Sequence, residues 1–132
     1  MSEQSRQVVR DYYERVINGR DLDAVEEFFD DERMVEGVRR GCFAYFNAFP
    51  DLHVSLEELI AEGDRVFLRS TLTGTHDGDY KGIEPTGRHV STECAEVFRV
   101  QDGMFQGYWC LTNVAGLMRQ LTEEPAVATT SG

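Results

Sequence analysis

The N-terminal third of the chain carries apolar residues at helical spacing. One set falls on a single helix face that the pair Asn18-Gly19 would end: Val9, Tyr12, Tyr13, Val16 and Ile17. Asp21 then predicts the N-cap of a short second helix over residues 22–29. A third helix is predicted over residues 38–49, because Pro50 disfavours helical backbone in the residue before it.

From Leu52 onward the pattern changes to alternation, which predicts β-strands. A first strand begins at this residue, residues 62–64 supply a turn, and residues 66–72 form a second strand. The polar, glycine-rich segment that follows is expected to hold a short edge strand around Tyr80.

The last third of the chain predicts a β-hairpin and a short helix. Residues 90–100 and 104–112 read as paired strands around the turn sequence Gln101-Asp102-Gly103. Asn113 would cap a final helix, and residues 122–132 are expected to form a disordered tail.

Helices first and antiparallel strands afterwards predict one α+β domain over residues 1–121. The three N-terminal helices would pack on one face of a curved antiparallel sheet, with the short C-terminal helix at its end. A bent sheet closed by helices leaves an open-ended cone. Such a cavity is a natural site for a small ligand.

A net charge of −11 over 132 residues narrows the classes of partner. So acidic a surface repels nucleic acid and anionic membranes, so neither is expected as a partner. No apolar run approaches the ~20 residues that span a bilayer. The polar N-terminus has no signal core, which favours a cytoplasmic protein.

The three cysteines, Cys42, Cys94 and Cys110, do not have the spacing of a zinc site, and their odd number disfavours a disulfide framework. No histidine pair has metal-ligand spacing either. We therefore expect no metal, and we expect each cysteine to act as a small buried apolar residue.

Several different turn and core motifs lie along the chain, at residues 12–14, 18–24, 49–52, 62–66, 72–76, 82–88 and 98–103 and at Trp109. In this order they resemble the SnoaL-like polyketide cyclase family of the NTF2-like superfamily. The resemblance implies a cone-shaped fold and a cofactor-free enzyme of natural-product biosynthesis. Family cyclases close a ring by an aldol-type step in which a carboxylate removes a proton next to a carbonyl.

Two departures from the family bear on this activity. The family's carboxylate follows a tryptophan and has a histidine two residues before it, so alignment on Trp109 puts Cys110 and Tyr108 at those positions. A thiol in an apolar cavity is mostly neutral and is a poor base. The family also has a short strand and a pocket-facing histidine or asparagine where this chain, at residues 31–37, runs almost directly into its third helix.

Strand alternation predicts which side chains face the cavity and bind the substrate. They come from three strands and two helices: Tyr13, Tyr45, Leu68, Ser70, Cys94, Glu96, Phe98, Tyr108, Cys110 and Thr112. Trp109 and Leu111 would face the other side of the sheet.

Glu96 and Tyr108 are the candidate catalytic residues. A glutamate inside an apolar cone loses solvation, so its proton affinity rises toward the range of an acid/base catalyst. Tyr108 on the neighbouring strand could donate a hydrogen bond to an oxygen that develops negative charge. The structural alternative is that Glu96 faces solvent or pairs with Arg69 or Arg99.

The histidines are weaker candidates. His53 is expected at an exposed strand start, and His76 and His89 near the opening of the cone.

These observations leave more than one function open. The leading hypothesis is cofactor-free cyclisation of an apolar, oxygenated, polyketide-like substrate. An epoxide-opening hydrolase or cyclase, or a hydroxylase or isomerase, would use the same scaffold. A non-catalytic small-molecule-binding protein is the alternative that both departures favour.

The other face of the sheet predicts an assembly. Phe67, Val97, Trp109 and Leu111 would lie there as an open apolar patch, which favours a homodimer through the backs of two sheets.

Overall fold

A computed structural model describes residues 2–123 of the protein, which form an α+β fold around one antiparallel sheet. Helix α1, Ser2–Tyr12, continues into a π-helical turn over Tyr13–Ile17. A 3₁₀ segment, Leu22–Glu27, precedes helix α2, Glu32–Ala48. Four strands follow, and helix α3, Val114–Thr122, comes after them.

The four strands form one sheet in the order β1-β2-β3-β4, and every neighbouring pair is antiparallel. Their bounds are His53–Glu62 for β1, Arg65–Thr75 for β2, His89–Gln101 for β3 and Met104–Thr112 for β4. The β3–β4 hairpin predicted from the sequence is confirmed. Asp102 and Gly103 form its turn with φ of 53° and 76°, the left-handed geometry of a tight two-residue connection.

Side chains of β2 and β3 alternate between buried and more exposed positions, as the sequence pattern predicted. The buried face meets α1 and the π-helical turn, where Val9 and Val16 are fully buried. Register shifts after Leu56 and after Arg99 interrupt the regular pairing at either end of the sheet. Bulges of this kind bend a strand and increase its twist.

The N-terminal helices differ in detail from the prediction. The second is a 3₁₀ segment, and the Asp21 side chain makes no capping hydrogen bond. The third begins at Glu32, six residues earlier than expected, because Asp31 caps it by accepting a 2.8 Å hydrogen bond from the Arg33 amide. The short strand that the family resemblance implies before this helix is reduced to a single parallel bridge between Phe29 and Phe105.

The connection between β2 and β3 holds no edge strand. Tyr80 forms only an isolated bridge with Ile83. The segment folds instead around His76, whose Nδ1 accepts a 3.1 Å hydrogen bond from the Thr86 amide. His76 is fully buried, which corrects the expectation that it lies near an opening, while His89 and His53 are exposed as predicted for an opening and a strand start.

The C-terminal helix is capped as predicted, since the Asn113 side chain accepts a 3.0 Å hydrogen bond from the Gly116 amide. The helix extends to Thr122, the first residue of the expected tail. Residues 124–132, the rest of that expectation, lie outside the described residues. Within residues 2–123, no helix is both long and apolar enough to cross a membrane.

Candidate functional site

A cavity of about 380 Å³ lies between the helices and the buried face of the sheet. Its wall is mainly apolar and aromatic, and it is formed by α1, the π-helical turn, α2 and all four strands. The lining residues are Tyr12, Tyr13, Ile17, Met34, Gly37, Val38, Gly41, Cys42, Tyr45, Phe46, Leu52, Val54, Ser70, Leu72, Cys94, Glu96, Tyr108, Cys110 and Thr112. The volume and the apolar wall suit a small organic ligand.

Helix α2 faces this cavity rather than the core. Its lining residues recur every three or four positions, from Met34 to Tyr45. Only Val35 and Ala48, of its 17 residues, are buried. The apolar stripe that predicted this helix from sequence therefore packs largely against open space, which a ligand would fill.

Glu96 is the one acidic side chain in the wall, and it is only 6% exposed. The Tyr13 hydroxyl donates a hydrogen bond to its Oε1. Arg69, the expected alternative partner, pairs with Glu58 and Glu93 instead. No ion pair joins Glu96 to any basic group of residues 2–123, so the solvent-facing and arginine-paired alternatives are both wrong.

Burial raises the pKa of Glu96, because a carboxylate loses hydration in the apolar cavity. The Tyr13 hydroxyl, and then the Cys110 thiol that lies opposite in the β3–β4 register, lower this pKa in part because they favour the charged form. Burial also raises the pKa of Cys110 to about 11, and the charge of Glu96 adds to the effect. The thiol at the family's carboxylate position is therefore protonated at neutral pH.

Tyr108 lies diagonally across from Glu96, since the register pairs Glu96 with Cys110 and Phe98 with Tyr108. Its ring stacks on the Phe98 ring with centroids 5.4 Å apart. Tyr108 is 45% exposed, and partial loss of hydration in the cavity wall raises its pKa above the usual value, so the side chain stays a phenol and can donate a hydrogen bond. Diagonal neighbours of this kind are within reach of long side chains.

A second polar row crosses the sheet next to Glu96. The register pairs Ser70 with Cys94, and Cys94 with Thr112. The Thr112 hydroxyl lies 3.6 Å from the Cys94 sulfur and 3.6 Å from the Cys110 sulfur. All three cysteines line the cavity, but only Cys94 is a buried residue; Cys42 is half-buried and Cys110 is exposed, which corrects the expectation that each is buried. No group of three metal-ligating side chains forms among residues 2–123.

Most of the residues predicted to line the cavity do so, with two exceptions. Leu68 and Phe98 are fully buried and are absent from the wall. Phe98 packs against Phe105, with ring centroids 4.6 Å apart, in an aromatic cluster that fills the interior beyond the cavity. Alternation identified the correct face of the sheet, but it carries no information about how far along that face the cavity extends.

Sequence reasoning missed the contribution of the helices. Beyond Tyr13 and Tyr45, the wall includes Tyr12 and the whole inner stripe of α2. The available signal is the helical spacing of Met34, Val38 and Cys42, but the helix predicted to pack on the sheet begins only at Val38 and excludes Met34. The two glycines between them gave no signal, since their absence of a side chain matters only once the cavity is known.

An α+β fold with a curved sheet and a ligand-sized cavity under its helices defines a protein of the NTF2-like class. A family model for SnoaL-like polyketide cyclases matches residues 7–121. The chain belongs to this family, which agrees with the resemblance drawn from its turn motifs.

Solved structures of the same fold include two proteins from Streptomyces species. AclR from Streptomyces galilaeus, provisionally named a hydroxylase, is 28% identical with a TM-score of 0.81, over 98% of this chain and 87% of that one. IdmH from Streptomyces antibioticus, provisionally named a polyketide cyclase, is 25% identical with a TM-score of 0.79, over 89% and 98% of the two chains. A search of curated proteins finds no significant match.

Proposed function

We propose that the protein is a cofactor-free enzyme that closes a ring in an apolar, oxygenated, polyketide-like substrate, with Glu96 as the base. The observation that carries the proposal is a carboxylate buried in a ligand-sized cavity with no basic partner among the described residues. A buried structural carboxylate is normally paired, because an unpaired one costs stability. An unpaired carboxylate with a raised pKa is suited to general acid–base catalysis.

The proposed step begins with the Glu96 carboxylate, which removes a proton from a carbon next to a substrate carbonyl. The electron pair of that C–H bond moves into the carbonyl and gives an enolate, whose oxygen Tyr108 stabilises through its phenolic hydrogen bond. The enolate carbon then attacks a second carbonyl carbon of the same molecule, which forms the C–C bond. The new alkoxide takes the proton back from Glu96, so the step needs no co-reactant.

Tyr13 and Cys110 complete this arrangement without reacting. Tyr13 donates to one carboxylate oxygen of Glu96 and fixes its orientation. Cys110 keeps its proton, since its pKa is about 11, so it can act as a donor but not as the base that its position in the family suggests. The proposed base therefore lies on β3, at the position that pairs with the β4 residue aligned to the family's carboxylate.

The experiment is ring closure of a linear δ-diketone, followed by chiral chromatography of the cyclic product. We expect the protein to give one enantiomer in excess, Glu96→Gln to lose about 100-fold or more of the rate, and Cys110→Ala to retain most of it. Full activity of Glu96→Gln, or complete loss in Cys110→Ala alone, would show that the base is misassigned.

A hydroxylase is the second candidate, because AclR carries that provisional name at 28% identity. Ring closure by aldol addition leaves the molecular formula unchanged, whereas hydroxylation adds one oxygen atom from a co-reactant. The mass of the product formed from the native substrate therefore separates the two. A protein that only binds its ligand would yield no product, and variants at Glu96 would then alter affinity alone.

A further inference from the structure

Ser70 carries a hydroxyl in the cavity wall that has no oxygen or nitrogen hydrogen-bond partner among residues 2–123. The residue is 1% exposed and lines the cavity. Among residues 2–123 its hydroxyl forms no hydrogen bond with an oxygen or nitrogen atom, and its polar neighbour is the Cys94 thiol opposite it in the β2–β3 register. Thiols are weak hydrogen-bond partners. The Ser70 hydroxyl is therefore free to form a stronger hydrogen bond with a ligand in the cavity.

Thr112, on the other side of Cys94, also has a hydroxyl whose polar neighbours are sulfur atoms. Its hydroxyl contacts only sulfur atoms, those of Cys94 and Cys110, each at 3.6 Å. The nearby Thr92 hydroxyl shows the contrast. It lies on the same face of β3, outside the cavity wall, and donates a 3.1 Å hydrogen bond to the Asn113 carbonyl. The Thr92 hydroxyl is thus paired within the fold, while the Ser70 and Thr112 hydroxyls in the cavity wall have only sulfur neighbours among residues 2–123.

The two hydroxyls lie in a row adjacent to that of Glu96. Ser70, Cys94 and Thr112 pair across three strands, and Glu96 and Cys110 pair in the next row with the same orientation. Rows two residues apart along a strand are separated by about 7 Å. A ligand that spans both rows therefore carries two functional groups at about that separation.

The wall restricts the chemistry of the group that fits this second row. No lysine, arginine or histidine is present among the lining residues, and the one charge is that of Glu96. A carboxylate or phosphate group would be repelled and left without a counter-charge. Hydroxyl side chains instead pair with a neutral oxygen, either a carbonyl that accepts or a hydroxyl that does both.

We propose that Ser70 and Thr112 form an oxygen-binding subsite for a neutral carbonyl or hydroxyl group about 7 Å from the carbon that Glu96 deprotonates. The substrate class is then a ketone with a second neutral oxygen function about 7 Å from the reacting carbon, for example on the neighbouring ring of a fused bicyclic compound. The position of the reacting carbon rests on the proposed function. The hydroxyl subsite itself does not.

The test compares the affinities of two probes that differ by one hydroxyl group, α-tetralone and 6-hydroxy-α-tetralone, measured by calorimetry. We expect the protein to bind the hydroxylated probe about five- to tenfold more tightly, the usual contribution of one hydrogen bond. Ser70→Ala and Thr112→Val should each reduce this preference and leave the affinity for α-tetralone unchanged. Ser70→Ala should also melt at the same temperature as the wild type or higher.

Thr92→Val is the matched control, because it removes a hydroxyl from the same face that already has a partner. It should lower the melting temperature and leave the preference intact. Equal affinity of the wild type for both probes, no binding of either, or an undiminished preference in both subsite variants would overturn the subsite. None of these readouts needs turnover, so the subsite and the assignment of Glu96 as base can fail separately.

Discussion

At the scale of single residues, the ionisation of Glu96 links the site to the stability of the fold. Burial raises the pKa of this carboxyl above its ordinary value of 4.5, so the folded protein binds the proton more tightly than the unfolded chain does. The contribution of Glu96 to the free energy of unfolding is therefore most favourable below pH 4.5 and is lost as the pH rises through the folded-state pKa.

Glu96→Gln should remove this pH dependence. We expect the variant to gain free energy of unfolding relative to the wild type as the pH is raised from acidic to mildly alkaline values, as measured by urea denaturation. Glu93→Gln, at an exposed position on the same strand, is the control for the removal of one negative charge. A difference between Glu96→Gln and wild type that stays constant with pH would mean that the folded-state pKa is not raised.

Tyr13 is expected to set the pH at which Glu96 becomes a base. Its hydroxyl lowers the pKa of the carboxyl by donating to it, so Tyr13→Phe should raise that pKa further. The acid limb of the pH–rate profile should then move to higher pH. Tyr45→Phe is the matched control, because Tyr45 lines the same cavity but its hydroxyl faces that of Tyr80 at 3.3 Å. Equal displacement of the limb in both variants would argue against a specific role for Tyr13.

At the scale of elements, helix α2 contains two interior glycines that lower its stability and that its packing does not require. Gly37 and Gly41 lie in its interior, and no atom lies within 4 Å of a Cβ built at either position. A glycine inside a helix lowers stability by about 0.5–1 kcal/mol relative to alanine. Neither residue is needed for close packing. Both line the cavity, which suggests that they keep its wall open beside the helix.

Gly41→Ala should therefore stabilise the protein by up to about 1 kcal/mol in chemical denaturation. Gly78→Ala provides the contrasting variant, because its Cβ would overlap the Asn47 carbonyl oxygen. We expect that substitution to be clearly destabilising. If Gly41→Ala were as damaging as Gly78→Ala, the inner face of α2 would be packed rather than open.

The elements also show what could be predicted from the sequence. Strands β3 and β4 were located almost to the residue, because alternation and a tight turn are local signals. The π-helical turn at Tyr13–Ile17 left no such signal, since its apolar residues continue the helical spacing of α1. Leu68 and Phe98 were placed in the cavity because alternation gives the face of a strand but not the depth of the wall.

At the scale of the whole molecule, the outer face of the sheet is apolar in a continuous line. The register aligns Ile60, Phe67, Val97 and Trp109 across the four strands. Ile60 and Trp109 are each 55% exposed, and Leu111 beside them is 60% exposed. Apolar residues on the surface of a monomeric protein are usually isolated, whereas these form a continuous band. We propose that a second copy of the chain covers it.

Trp109→Glu should convert this homodimer into a monomer, because it would place a charge in the apolar band beside Val97 and Leu111. Light scattering after size exclusion would show the mass of one chain for the variant and twice that mass for the wild type. Phe43→Glu is the control, since Phe43 is 59% exposed on α2, away from the sheet. A wild-type protein that is monomeric at micromolar concentration would contradict the proposed assembly.

Hydrogen–deuterium exchange at the α-carbon of α-tetralone in D₂O, followed by NMR, measures directly whether Glu96 removes a proton from a carbon next to a carbonyl. We expect catalysed exchange by the wild type, a loss of about 100-fold or more in Glu96→Gln, and a rate within a few-fold of wild type in Cys110→Ala. Exchange by Glu96→Gln at the wild-type rate, or none above background by the wild type, would contradict the assignment of Glu96 as the base.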